Sequence, residues 1–538
     1  MKLEVKSIKL KGPVGDRSFD FEEIRTINAL NRILFLSDNI ENTLVKSSNI
    51  WFLKSKFFLY RALTYFGILL IPIWLPKTLH LNTVLQIIML VFYTLFMCSQ
   101  WFMLGKEVDH RLKIYFRVNS SIDRVVYRLF LGMIFFVLLF NTISFLPHKW
   151  IYNSYWVIWA VLGLFYSWPT RGKIIKESVT TNFNEFKYLD SFEKTLVFLS
   201  LLMFVFSIPE LPKLTNIEAL KLFFDPFEKI GNQYWNFLLV GYYPFFKYPI
   251  LFKLAWCIHF YLVGLGLFCL TFYAMLRFFV SRRLSLLGVF AVLSSWSFTK
   301  ILASNYGDAI TTTYSLLWVW TLLWVVKSAT YRAGLFLGLV SYLGTIINQS
   351  FALLVIPQCI LLYLLFLRDK TIWYKRQILK YSLFGLSLTA VVLFSNIDIL
   401  QNMIPIDENY FAEFTKILNR KAFYSLSYFG FIILLFKAFD SKITIIRELK
   451  VNRENVIEIF IIIFILFLSS LVLDSYLVKS FSLMWMFVFF SLIPLELVFQ
   501  SISRLRSSRN MIYLIYILIC LLDSHFEGRV KIFLRLFN

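Results

Sequence analysis

The sequence is short of charge, and of negative charge above all: 16% of its 538 residues are charged, and 32 Asp and Glu face 55 Lys and Arg. Soluble domains run near a quarter charged and a little under half apolar. Here 59% of the residues are hydrophobic, 19% are aromatic and the mean hydropathy is +0.68. That balance excludes a soluble enzyme, a disordered chain and a disulfide scaffold. Cysteine is also scarce. Cys98, Cys257, Cys269, Cys359 and Cys520 all lie inside apolar runs, and none has a Cys-x-x-Cys or Cys/His spacing that would hold a metal. They read as small hydrophobes. No Walker loop, Gly-x-Gly-x-x-Gly, Gly-x-Ser-x-Gly or His-Glu-x-x-His is found, which argues against ATP-driven transport by this chain alone. The first fifty residues lack the short apolar core and small-residue cleavage site of a secretory signal, so insertion falls to the first true span.

What the chain does have is apolar runs. A helix needs ~20 apolar residues to cross the hydrocarbon layer, and such runs recur almost to the C-terminus. The pattern predicts an all-α, polytopic transmembrane bundle of roughly fifteen spans. They lie near 57–75, 83–104, 126–146, 153–168, 194–208, 250–276, 284–302, 310–326, 333–347, 351–367, 381–395, 425–439, 457–473, 481–499 and 511–522.

Assigning alternate loops to two sides separates the charges, as the positive-inside rule requires. One side collects Lys106, Arg111, Lys113, Arg117 and Arg124, then Arg171, Lys173, Lys176, Lys187 and Lys194, then Arg277, Arg282 and Arg283. Further basic groups at 327–332, 368–380, 437–453 and 504–509 fall on the same, cytoplasmic side. The far side has two sizeable loops, 209–249 and 396–424, and both carry acids. The net charge of +23 is thus mostly a topology signal, and no nucleic acid partner is implied.

Three regions follow. Residues 1–56 form a cytoplasmic segment in which Phe21, Ile24, Ile27, Leu30 and Leu34 recur at helical spacing. An ordinary packed face explains this most simply, while a protein partner bound through the segment stays open. Residues 57–190 make a four-span N-terminal extension, and 191–538 make the main membrane domain, divided from it by a long basic loop.

Candidate chemistry sits at the far face. Asp225 precedes Pro226 and Glu228 follows three residues on, so the two share a face if a helix starts at Pro226. A carboxylate shielded by aromatics at a membrane face can act as a general base toward a hydroxyl, though an N-cap Asp is an equally good reading. The passage Gly241-Tyr-Tyr-Pro-Phe-Phe-Lys247-Tyr-Pro249 reads by default as an interfacial aromatic belt. It places Lys247, and Lys253 in the following span with His259, where a cation can meet a membrane lipid phosphate. Asp308 begins a later span, and Gly334, Gly338 and Ser341 allow close helix packing ahead of Pro357.

In this order the features resemble the GT-C superfamily of integral-membrane glycosyltransferases, particularly its mannosyl- and aminoarabinose-transferase-like members. Asp225, Tyr243-Pro244, Asp308 and Gly334/Gly338 with Pro357 carry the resemblance over about 193–370. Adjacent acids in the first loop and a His-Pro-Pro stretch, both common in the family, are absent, and Asn305 stands where an Arg commonly precedes the later Asp. The resemblance implies a GT-C-like core in the bacterial cytoplasmic membrane. It also implies inverting transfer of a sugar from a polyprenyl phosphate to an acceptor at the outer face. Asp225, with Glu228 and Asp308, would be catalytic; Lys247, Lys253 and His259 would bind substrate. It implies no cofactor; a metal is possible in some relatives, but nothing in this sequence shows one. Two other readings stay open. A transporter or flippase for a lipid-linked or anionic solute would use ionisable groups within spans, such as Arg61, His259, Lys300 and Glu496. A non-catalytic membrane subunit would need no motif.

Overall fold

The computed structural model describes residues 7–10, 17–20, 59–60, 62–78, 83–112, 121–143, 156–164, 188–207, 238–242, 244–245, 248–277, 280–295, 313–314, 316–321, 331–347, 491–492, 495–496, 509–522 and 524–535. It divides into two compact units, residues 1–67 with 160–176, and residues 68–159 with 177–538.

The first unit holds a short antiparallel hairpin near the start of the chain. Strand β1 (Ser7–Leu10) pairs antiparallel with β2 (Arg17–Asp20), Ser7 opposite Asp20 and Leu10 opposite Arg17. Ile8, Leu10 and Phe19 alternate with polar residues, a period of two rather than 3.6, and Gly12, Pro13 and Gly15 stand between the strands. The helical pattern over 21–34 lies outside the described residues. In the same unit Gly163 meets the Tyr65 ring: a Cβ there would fall 2.1 Å from it.

The second unit is helical. We number its longer helices α1 (Thr83–Leu112), α2 (Ser121–Ile143), α3 (Ser191–Val205), α4 (Pro249–Leu276, π-helical over Phe260–Gly266), α5 (Arg282–Ser294), α6 (Tyr331–Ile347), α7 (Arg509–Leu522) and α8 (Phe526–Arg535). Local sequence explains their starts. Pro249 stands in the first turn of α4, where the missing N–H is no loss. Asp190 and Glu193 form a capping box before α3, each side chain taking the other's backbone N–H.

Helices α1 and α2 form an antiparallel hairpin, since Trp101 meets Gly132 while Gly105 meets Arg128. The approach is backbone to backbone: a Cβ on Gly105 would lie 1.7 Å from Arg128 O, and one on Gly132 1.7 Å from Trp101 O. Glycine is therefore required at both positions, as at close crossings in membranes. Below the crossing Asp109 accepts from Tyr127 and Arg128, each at 3.3 Å, and Trp320 donates to Asp123 at 3.1 Å.

Helices α3, α5 and α7 run in one direction. At their N-terminal ends Arg282 grips Glu193 through two bonds of 2.8 and 2.6 Å, Arg283 binds Asp190, and the Phe192 and Tyr513 rings stack at 5.5 Å. Cations at a helix start oppose its dipole, and the two α3 carboxylates offset this for the arginine pair of α5. At the opposite ends Arg529 of α8, 1% exposed, donates to Leu293 O, Ser294 O and Ser207 Oγ, each at 2.7 Å. A guanidinium thus caps the C-terminus of α5, where the dipole favours a cation. The α3–α5 pair is clamped at both ends. The three N-termini lie together, as the alternation of basic loops in the sequence requires.

Among the described residues two helices, over Thr83–Asp109 and Pro249–Leu276, are long and apolar enough to cross a membrane. The pair α7–α8, bent by 56°, makes a third if taken as one span. Their outward faces carry apolar side chains: Ile88, Phe92 and Leu95 on α1, and Met511, Leu514, Ile515, Leu518 and Leu522 on α7. Water does not tolerate apolar stripes of this size on a soluble monomer, whereas lipid accepts them. Helix α8 was not anticipated by the sequence reading. It follows a left-handed His525 (φ 43°) and starts with Glu527 bonded to Lys531 at 2.6 Å.

Candidate functional site

Of the predicted site residues, Asp225, Glu228, Lys247 and Asp308 lie outside the described residues, as do Arg61 and Lys300. Lys253 and His259 are both on α4. Six positions apart, they are turned by about 240° and separated by about 9 Å along the axis, so they do not share a face. Lys253 is half-buried; His259 is fully buried. Glu496, considered as an ionisable group within a span, accepts from Ser281 N–H at 3.1 Å and so satisfies the start of α5.

His259 sits in a polar cluster where α4 meets α1. Its Nδ1 lies 3.2 Å from the Tyr242 hydroxyl, which lies 2.6 Å from Thr94 Oγ1, and Thr94 in turn donates to Leu90 O at 2.9 Å. Tyr93 donates to Gly241 O at 3.0 Å, tying the chain just before α4 to α1. Trp101 stands edge-on to His259, with ring centroids 6.2 Å apart and planes at 89°. Immediately after His259 the helix widens to the π form, a distortion frequent at functional sites. There Tyr261 donates to Phe204 O on α3. The cluster lies eleven residues into each span-length helix, counting to Tyr93 from Thr83 and to His259 from Pro249, which is well inside the apolar stretch.

Only one set of proton positions makes all three bonds at once. Thr94 has one proton and gives it to Leu90 O; it must therefore accept from Tyr242. Tyr242 has then spent its own proton and must accept from His259 Nδ1–H. The chain of donors runs from imidazole to tyrosine to threonine to backbone, and fixes the tautomer of His259.

Of the aromatic passage before α4, Tyr242 and Phe245 are buried in the protein, while Tyr243, Phe246 and Lys247 lie outside the described residues. Leu238, Leu239, Val240, Tyr242 and Phe245 are buried in a short turn against α1. Sequence reasoning singled out His259 but missed Tyr242, Thr94 and Trp101, which carry no charge and sit in otherwise apolar runs. The available signal was the coincidence of a mid-span histidine with a tyrosine seventeen residues earlier. Among the described residues no group of three or more His, Cys, Asp or Glu is placed to hold a metal. No family model, curated protein or solved structure matches the chain.

Proposed function

We propose that the chain is an integral-membrane glycosyltransferase of the GT-C type. It would move a sugar from a polyprenyl-phosphate donor to an acceptor at the outer face of a bacterial cytoplasmic membrane. The order of Asp225, the Tyr243-Pro244 stretch, Asp308 and Gly334/Gly338 with Pro357 supports it. The observation that carries it is the burial of residues 238–242 and of Phe245. Tyr93 and the Tyr242–Thr94–His259 bonds hold the chain rigidly where the outer loop meets α4, and a rigid support is what a site on that loop needs.

In this reading the acceptor hydroxyl attacks the anomeric carbon with inversion while the bond from that carbon to the phosphate oxygen breaks. Asp225 takes the hydroxyl proton, with Glu228 and Asp308 as the further acids of the site, and the phosphate departs as an anion beside Lys247 or Lys253. The test is transfer by purified protein in liposomes supplied with polyprenyl-phosphate sugars and candidate acceptors. Asp225→Asn is expected to lose about 10²-fold or more in rate, the usual contribution of a general base. Equal transfer by this variant, or none by the wild type, defeats the proposal.

The buried His259–Tyr242–Thr94 chain favours a second reading, a transporter or flippase for a lipid-linked or anionic solute, because polar groups deep in a span usually face a solute or proton path. Uptake by vesicles without chemical change to the solute separates this from transfer, and a chain inactive in both assays is a non-catalytic subunit.

A further inference from the structure

Helix α8 sorts its side chains into rows. Arg529 and Phe533 face the bundle, where Arg529 binds Leu293 O, Ser294 O and Ser207 Oγ and the Phe533 ring meets Phe206 at 5.4 Å. Glu527, Lys531 and Arg535, four residues apart, form an exposed charged row. Glu527 and Lys531 are joined at 2.6 Å, yet their side chains stay 83% and 68% exposed. Phe526, Val530 and Leu534 form an apolar row about 100° round the helix from the charged one. Phe526 and Leu534 are exposed, and Val530 is half-buried. This row continues the four-residue spacing of Leu518 and Leu522, the exposed end of the lipid-facing stripe of α7.

The bend of 56° leaves two courses for α8: onward through the hydrocarbon as the rest of one span, or along the membrane surface. The first would carry an exposed ion pair and Arg535 into lipid, which is costly. A surface course accepts both rows at once, with acyl chains against the apolar row and headgroups and water against the charged one.

We propose that α8 is an interfacial helix, docked on the glycerophospholipid leaflet at the end of the bundle away from Arg282 and Arg283. Phe526, Val530 and Leu534 enter the boundary between acyl chains and headgroups, and Glu527, Lys531 and Arg535 stay above it. The contact bears on the bundle because Arg529 of the same helix caps α5 and binds Ser207 just after α3. It rests on α7 lying in a membrane and not on sugar transfer.

The test is paramagnetic accessibility of single spin labels in full-length, cysteine-free protein, in nanodiscs of phosphatidylcholine and phosphatidylglycerol. At Leu534→Cys, oxygen, which concentrates among acyl chains, is expected to relax the label more than a water-soluble nickel chelate does; at Lys531→Cys the order reverses. Oxygen dominant at both positions makes α8 part of a span, and the chelate dominant at both puts it in water. Shielding of Leu534→Cys from both probes means that protein, such as a second copy, covers the apolar row. Each of these three results overturns the proposal. Should the cysteine-free chain fail to fold, a membrane-partitioned carbene probe on wild-type protein decides. It is expected to modify Phe526 and Leu534 and to spare Lys531 and Arg535; an unlabelled apolar pair, or label on all four, overturns the proposal.

Discussion

The Tyr242 hydroxyl is the middle of its chain, accepting from His259 and donating to Thr94, so its removal leaves two buried groups without their partner at once. Tyr242→Phe is expected to destabilise the protein by about 1–3 kcal/mol, the cost of unpaired buried polar groups, read as the unfolding midpoint in detergent. Thr94→Val should cost less when combined with Tyr242→Phe than alone, because the two hydroxyls share one bond. Additive losses in this double-mutant cycle would mean that the two act separately. Arg529 shows the same logic with charge. Its guanidinium is buried at a helix C-terminus, where the carbonyl oxygens of Leu293 and Ser294 accept from it and the helix dipole favours a cation.

At the scale of elements, the ionic clamp between α3 and α5 should respond to acid. Burial, the largest single influence, raises the proton affinity of Asp190, but the Glu193 N–H and the guanidinium of Arg283, aided by Arg282, together outweigh it and hold the carboxyl below its ordinary value of 3.8. A depressed folded-state value means that Asp190 contributes stability above its unfolded value and loses it as pH falls through the folded one. The thermal midpoint should therefore be insensitive to this group from neutral pH to about 5 and decline below about 4. Asp190→Asn should lower the midpoint at neutral pH and flatten the acid limb; an unchanged acid limb would show that other carboxylates set it. Its side chain is 37% exposed, so salt should weaken the effect. The α1–α2 hairpin depends instead on absent atoms, since Gly105 and Gly132 let two backbones touch.

For the whole molecule the question is which end faces which compartment. The N-termini of α3, α5 and α7 gather at one end, with Tyr188 exposed beside them, while α8 lies at the other end with Glu527 exposed. Positive charge before each of the three helices predicts, by the positive-inside rule, that their N-terminal end faces the cytoplasm. In a cysteine-free background, a membrane-impermeant maleimide should label Glu527→Cys, not Tyr188→Cys, in right-side-out vesicles, and the reverse in inverted ones. Labelling of both from one side would refute a membrane crossing between them.

Composition and hydropathy were enough to read helices in the main unit and apolar runs of membrane-crossing length, because burial of backbone groups in lipid leaves little choice but helix. The periods of 3.6 and two were both legible, although the two-residue alternation of β1 and β2 was passed over in favour of the longer helical pattern after it. His259 was legible because an ionisable group in an apolar run stands out. Its partners were not: Thr94 is 165 positions away, Trp101 is 158, and neither breaks the hydropathy of α1. The same holds for Arg529, which reads in sequence as one more cation near the C-terminus and is buried across α3 and α5. Sequence determined that these helices would form, and which ends would carry the charge, since both follow from local polarity along one chain. Only the tertiary structure decided which polar groups meet, because a single hydroxyl or indole buried in an apolar run has no periodicity and acquires meaning from the residue packed against it.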